Sequence, residues 1–115
     1  MPWTVTVRRG GRVERARLAE LQAALELIET RAGELARTAP RREIDVRIRR
    51  FDPGEQVYAR IELAGPERLL PRLRAGIDIR GDGSSEAYLG RLRRAPLEHD
   101  PGESASAALR RAVER

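Results

Sequence analysis

Hydrophobic and polar residues alternate strictly from Trp3 to Arg8. Trp3, Val5 and Val7 point one way; Thr4, Thr6 and Arg8 point the other. That period of two predicts a half-buried strand, broken at Gly10-Gly11. The period then changes. Leu18, Leu21, Leu25, Ile28, Ala32 and Leu35 recur at steps of three and four, one apolar stripe over about five helical turns. Glu20, Glu26, Glu29, Arg31, Glu34 and Arg37 occupy the opposite face. Pro40 ends the helix, since its ring cannot continue one and constrains the residue before it. The stripe is expected to pack on a sheet; as a coiled-coil seam it spans fewer than three heptads, which is short for a zipper.

Alternation returns twice, in Ile44–Phe51 and in Val57–Leu63. Asp52-Pro53-Gly54-Glu55 lies between them with turn chemistry, so the two runs are expected to pair as a hairpin. Ile44, Val46 and Ile48 would then share a greasy face with Val57, Ala59, Ile61 and Leu63. Asp45, Arg47, Arg49, Tyr58, Arg60 and Glu62 would form the other face. Gly65–Leu70 reads as a connector with a helical turn started by Pro66. Ile77–Arg80 reads as a fourth strand and Gly81-Asp82-Gly83-Ser84 as a tight turn. Ala87–Arg94 fits either a fifth strand or a helix. The turn before it favours the strand, and Gly90 would weaken the helix. Asp100-Pro101-Gly102-Glu103 has the form of a capping box, opening a last helix with Ala105, Ala108, Leu109, Ala112 and Val113 on one face. The expected fold is a single α+β domain over residues 1–115. It has a mostly antiparallel sheet of four or five strands with two helices packed on one face, in the order β-α-β-β-β-(β)-α.

Composition narrows the chemistry. The chain has 115 residues and no Cys. Disulfides, thiolate metal sites and thiol nucleophiles are therefore excluded. No apolar run reaches the ~20 residues of a membrane helix. The chain starts directly on a strand pattern with no leader-like segment, so a cytoplasmic protein without membrane contact is expected. The net charge is +5, and all 23 basic residues are Arg, with neither Lys nor Asn present. Lys and Asn share codons rich in adenine, so part of the Arg excess is expected to reflect a GC-rich genome rather than selection for a partner. A basic chain alone is then weak ground for a nucleic-acid partner.

Catalytic groups are sparse. His99 is the only histidine, and it lacks the neighbouring nucleophile and orienting acid that a triad needs. Asp78, Asp82 and Glu86 could face a hard cation, but Arg80 falls between them and the oxygen count is short. Gly81-x-Gly83 lacks the spacing and the Lys of a phosphate loop. Arg80-Gly81-Asp82 is a tripeptide that integrin ligands display, and it arises easily by chance in an Arg- and Gly-rich chain. No enzyme, cofactor or metal is expected. The feature with most binding chemistry is the exposed hairpin face with Arg47, Arg49, Tyr58 and Arg60, joined by Arg91 and Arg93 if the fifth strand lies alongside. Arg and aromatic side chains on a sheet face contact phosphates and stack bases. The expected function is non-enzymatic binding of nucleic acid, RNA or the ribosome, or another polyanion. The alternative is a protein-interaction or self-assembly domain, including a homodimer, built on a sheet edge or the helix stripe.

Overall fold

A computed structural model of the chain describes residues 3–39, 44–46, 49–51, 57–65, 73–90 and 95–114, with the backbone alone for 44–46, 49–51 and 73. In chain order the elements are β1 (Trp3–Arg9), β2 (Arg12–Leu18), α1 (Leu21–Thr38), β3 (Ile44–Val46), β4 (Arg49–Phe51), β5 (Val57–Gly65), β6 (Leu73–Arg80), β7 (Ser85–Leu89), β8 (Ala95–Pro96) and α2 (Ala105–Val113). Six strands form one antiparallel sheet ordered β2-β1-β5-β6-β7-β8, while β3 and β4 pair with each other. The α+β class, the antiparallel sheet and the two helices on one face are as the alternation predicts, with one strand more in the sheet. No helix among the described residues is long and apolar enough to cross a membrane.

The core follows from side-chain parity. Val5 and Val7 of β1 lie opposite Leu63 and Ile61 of β5, which lie opposite Ala75 and Ile77 of β6. Ala24, Leu25, Ile28, Ala32 and Leu35 of α1 and Ala105, Ala108 and Leu109 of α2 close over this face. Ile61, Ile77, Ile79 and Leu109 are fully buried. Each such aliphatic side chain contributes about 1.5–3 kcal/mol by leaving water.

Four expectations change. The stretch after Gly10-Gly11 is a strand, because the two glycines form a two-residue hairpin turn that places Arg9 opposite Arg12. Gly10 takes a φ of 58°, the left-handed conformation that the first central position of such turns requires. The helix therefore starts at Leu21, and Leu18 instead ends β2 opposite Trp3. The predicted hairpin between 44–51 and 57–63 does not form. β5 carries the most continuous apolar face and lies between β1 and β6, where both its edges are paired and α1 covers it. The last helix begins at Ala105 with Ser104 as its cap, whose Oγ accepts from the Ala107 N–H at 3.1 Å. The residues read as a capping box form a turn upstream. There Glu103 Oε1 accepts from the Asp100 N–H at 3.0 Å, and the Glu103 N–H donates to the Asp100 carbonyl at 2.8 Å.

The fifth strand is present as β7. The Arg80 N–H donates to Ser84 O across the turn, and Asp82 Oδ1 accepts from both the N–H and the Oγ of Ser84. These two bonds hold the Asp82 carboxyl below its usual range. Gly90, with φ 98°, ends the regular run. The Pro66 turn lies outside the described residues.

Candidate nucleic-acid interface

The face of the sheet turned away from the helices can be read row by row from the strand registers. One row runs Val13, Arg8, Arg60, Asp78, Glu86. The next runs Arg15, Thr6, Glu62, Gly76, Tyr88. The third runs Arg17, Thr4, Ala64, Arg74. Arg80 sits beyond the first row, opposite Val57. Six arginines and three carboxylates thus share one layer.

At the centre of this layer the charges are answered. Arg8 and Arg60 are directly opposed, a like-charge pair that costs stability when left alone. Each turns to its own acid: Arg8 Nε donates to Glu62 at 2.9 Å, and Arg60 Nε donates to Asp78 at 2.6 Å with Nη2 at 3.4 Å to the other oxygen. The Arg60–Asp78 pair is the less exposed, at 25% and 16% of its side chains. The bond to Asp78 raises the Arg60 pKa against the opposing effect of burial. Asp78 and Glu86 are likewise opposed, and Glu86 is taken by Arg80 at 3.0 Å. Arg74 has no ion pair among the described residues.

At the β1–β2 edge the charges are not answered. Arg9 and Arg12 face each other across the turn, with no acid paired to them among the described residues. Arg15 and Arg17 project from β2 onto the open face. All four are exposed, and none has an ion pair or side-chain hydrogen bond among the described residues. The single acid of β2, Glu14, points to the helix side and is held by Arg31 of α1 at 3.0 Å.

The predicted site residues fare differently. Tyr58 and Arg60 do not share a face. The β5–β6 register slips between Val57 and Ala59, and at this bulge the extra residue re-aims the side chains. Tyr58 packs against the core, its hydroxyl 3.4 Å from Thr38 Oγ1 at the end of α1, while Val57 is left 46% exposed. Arg60 is on the open face but bound to Asp78. Arg49 lies on β4, which pairs with β3 rather than β5. Arg47, Arg91 and Arg93 lie outside the described residues. The exposed, unpaired arginines that sequence reasoning passed over are Arg9, Arg12, Arg15 and Arg17. The Gly-Gly dipeptide between two alternating runs was the signal that could have placed them.

Aromatic surface is scarce on this face. Tyr88 lies over Gly76 and is only 5% exposed. A Cβ on Gly76 would run into its hydroxyl and into the Ile61 carbonyl. Trp3 is on the helix side, half-buried against Gly65.

The other candidate chemistry is already committed. Asp78, Asp82 and Glu86 hold Arg60, Ser84 and Arg80 respectively. No group of three His, Asp or Glu among the described residues is placed to hold a metal ion. The Arg80-Gly81-Asp82 tripeptide has both its charged ends engaged and its glycine buried. His99 sits in an exposed loop. Beside it Arg111 donates to Glu103 through Nε at 3.1 Å and Nη2 at 2.9 Å, and to the Glu98 carbonyl. Arg111, with the Asp100 N–H, lowers the Glu103 carboxyl to about 2. Comparison with known protein families, with curated proteins and with solved structures finds no match.

Proposed function

We propose that this domain is a non-enzymatic nucleic-acid-binding module of the cytoplasm whose contact surface is the β1–β2 edge, with Arg9, Arg12, Arg15 and Arg17 as phosphate ligands. The observation that carries this reading is the pairing contrast. An opposed arginine pair in the sheet centre, Arg8 and Arg60, is neutralised by Glu62 and Asp78; the opposed pair Arg9 and Arg12 at the tip has no acid partner among the described residues. A genome bias would raise the number of arginines everywhere, but it would not decide which of them lack an acid. An unrelieved like-charge pair costs folding stability, and a phosphate lying between the two would remove that cost.

The test is retention on a polyanion. The wild-type chain is expected to bind heparin and to elute only at raised salt. The variant R9A/R12A/R15A/R17A should elute near the start of the gradient. Elution of that variant at the wild-type salt would sink the reading.

The protein-interaction reading has one observation of its own. β2 is an edge strand of seven residues, exposed along most of its length, whereas the opposite edge, β8, is two residues long and carries Pro96. Long open edges accept added strands. A second copy adding antiparallel through β2 in a continuous sheet would, however, bring Arg15 and Arg17 of both copies onto one face. Light scattering is expected to give a monomer mass; a stable dimer would favour this second reading.

A further inference from the structure

Resting on the nucleic-acid reading, we infer that the ligand of the β1–β2 edge is a B-form double helix, and that the edge enters its major groove and grips phosphates on both walls. Three observations lead there. First, the free cations are divided between the two faces of the same edge. Arg15 and Arg17 point to the open side. Arg9 and Arg12 share the parity of Val7 and Glu14 and point to the helix side. A flat or single-walled ligand would use one set and leave the other idle, whereas a groove offers phosphates to both.

Second, the dimensions agree. Toward the Gly10-Gly11 tip, past the level of Glu14 where Arg31 of α1 meets the helix side, the strand layer with its side chains is roughly 10 Å thick, and the B-form major groove is about 12 Å wide, enough for a β-ribbon. The A-form major groove is too narrow to admit side chains. From Arg12 to Arg17 the strand runs about 17 Å at its usual rise, long enough for Arg15 and Arg17 to follow one wall while Arg9 and Arg12 meet the other at the tip. The tip is unobstructed: a Cβ built on Gly10 or Gly11 meets nothing within 4 Å.

Third, among the described side chains none is an exposed aromatic on the open face. Sequence-tolerant grip on unpaired bases relies on exposed aromatic platforms. Tyr88 is covered, and Trp3 and Tyr58 lie on the helix side.

The experiment is a salt titration by fluorescence anisotropy with three labelled probes of one mixed sequence: a DNA duplex, its single strand and an RNA duplex. The wild-type chain should bind the DNA duplex about tenfold or more tightly than either other probe. R15A/R17A and R9A/R12A should each flatten the plot of log affinity against log salt by about 1.8, the value for two phosphates at ~0.9 each. R15Q/R17Q and R9Q/R12Q keep most of the side-chain stems and should behave alike, which separates charge loss from misfolding. Equal or tighter binding of the single strand or the RNA duplex would overturn the inference while leaving the nucleic-acid reading in place. So would a wild-type slope for R9A/R12A beside a reduced one for R15A/R17A. Failure to bind any probe at low salt would overturn both.

Discussion

The centre of the open sheet face and the β1–β2 edge are built from the same residue type and differ in what stands next to it. On β5, β6 and β7, Arg60 and Arg80 each meet a carboxylate, Asp78 or Glu86, in cross-strand or neighbouring positions. On β1 and β2, Arg9, Arg12, Arg15 and Arg17 meet none among the described residues. In a chain whose every basic residue is Arg, residue identity therefore carries little functional information. Pairing carries it, and pairing depends on register. Apart from Arg74, the centre spends its arginines on holding strands together, at up to about 1 kcal/mol for each partly exposed pair. The edge leaves its arginines available to something outside the chain.

The largest effect expected from this division is on folding. Gly76→Ala puts a methyl group where the Ile61 carbonyl and the Tyr88 ring already lie. It should cost about 1–3 kcal/mol, the usual cost of overpacking. R15A/R17A, on the exposed edge, should stay within about 0.5 kcal/mol of wild type. Urea denaturation of the two variants checks this, and equal destabilisation would erase the distinction between centre and edge.

A smaller effect tests whether the central arginines are held back by their acids. Asp78→Asn frees Arg60 on the open face. It should lower stability by about 0.5–1.5 kcal/mol through the lost charged hydrogen bonds, and it should tighten duplex binding. Glu26→Gln on the exposed face of α1 changes net charge by the same amount and should tighten binding less. Anisotropy titrations of both variants at one salt concentration decide the point; equal gains would mean that net charge alone, not the released Arg60, is felt.

The smallest effect lies far from this face, at the turn before α2. Glu103 titrates at about 2 in the folded chain, against 4.5 as its ordinary value, because Arg111 and the Asp100 N–H hold the charged form. A lowered folded pKa means that its contribution is complete above about 4.5 and disappears as the pH falls through about 2. Glu103→Gln should therefore be less stable than wild type at neutral pH, with the gap closing between about 4.5 and 2. Denaturation midpoints across that range give the curve, and a gap independent of pH would contradict it. Duplex affinity should not follow this titration, since Glu103 is remote from the β1–β2 edge in the fold.

Much of the fold could be read from the chain because it is written in local periodicity. The alternation of Trp3–Arg8 and Ala59–Leu63, the stripe of α1 from Leu21 on and the turn before β7 all appear in the structure. β2 escaped notice for a physical reason: an exposed edge strand buries little, so Arg12–Leu18 alternates without an apolar face to mark it. The partners of β5 escaped because adjacent runs joined by a turn suggest a local hairpin. The deep apolar parity of Ala59, Ile61 and Leu63 drew that strand to the middle of the sheet instead. Tyr58 moved to the helix side through a one-residue bulge, which alternation cannot foresee. The Arg60–Asp78 pair spans eighteen residues and exists only once β5 and β6 are in register. The candidate site was thus partly visible as arginine and invisible as pairing.

The most direct test removes two charges from each region and compares them. R15A/R17A and R60A/R80A have the same net charge, so long-range attraction to a DNA duplex falls equally in both. The salt slope of duplex binding is predicted to drop by about 1.8 for R15A/R17A and to stay near wild type for R60A/R80A. A drop for R60A/R80A as large as that for R15A/R17A would contradict the claim that the unpaired edge, rather than the paired centre, is the binding surface.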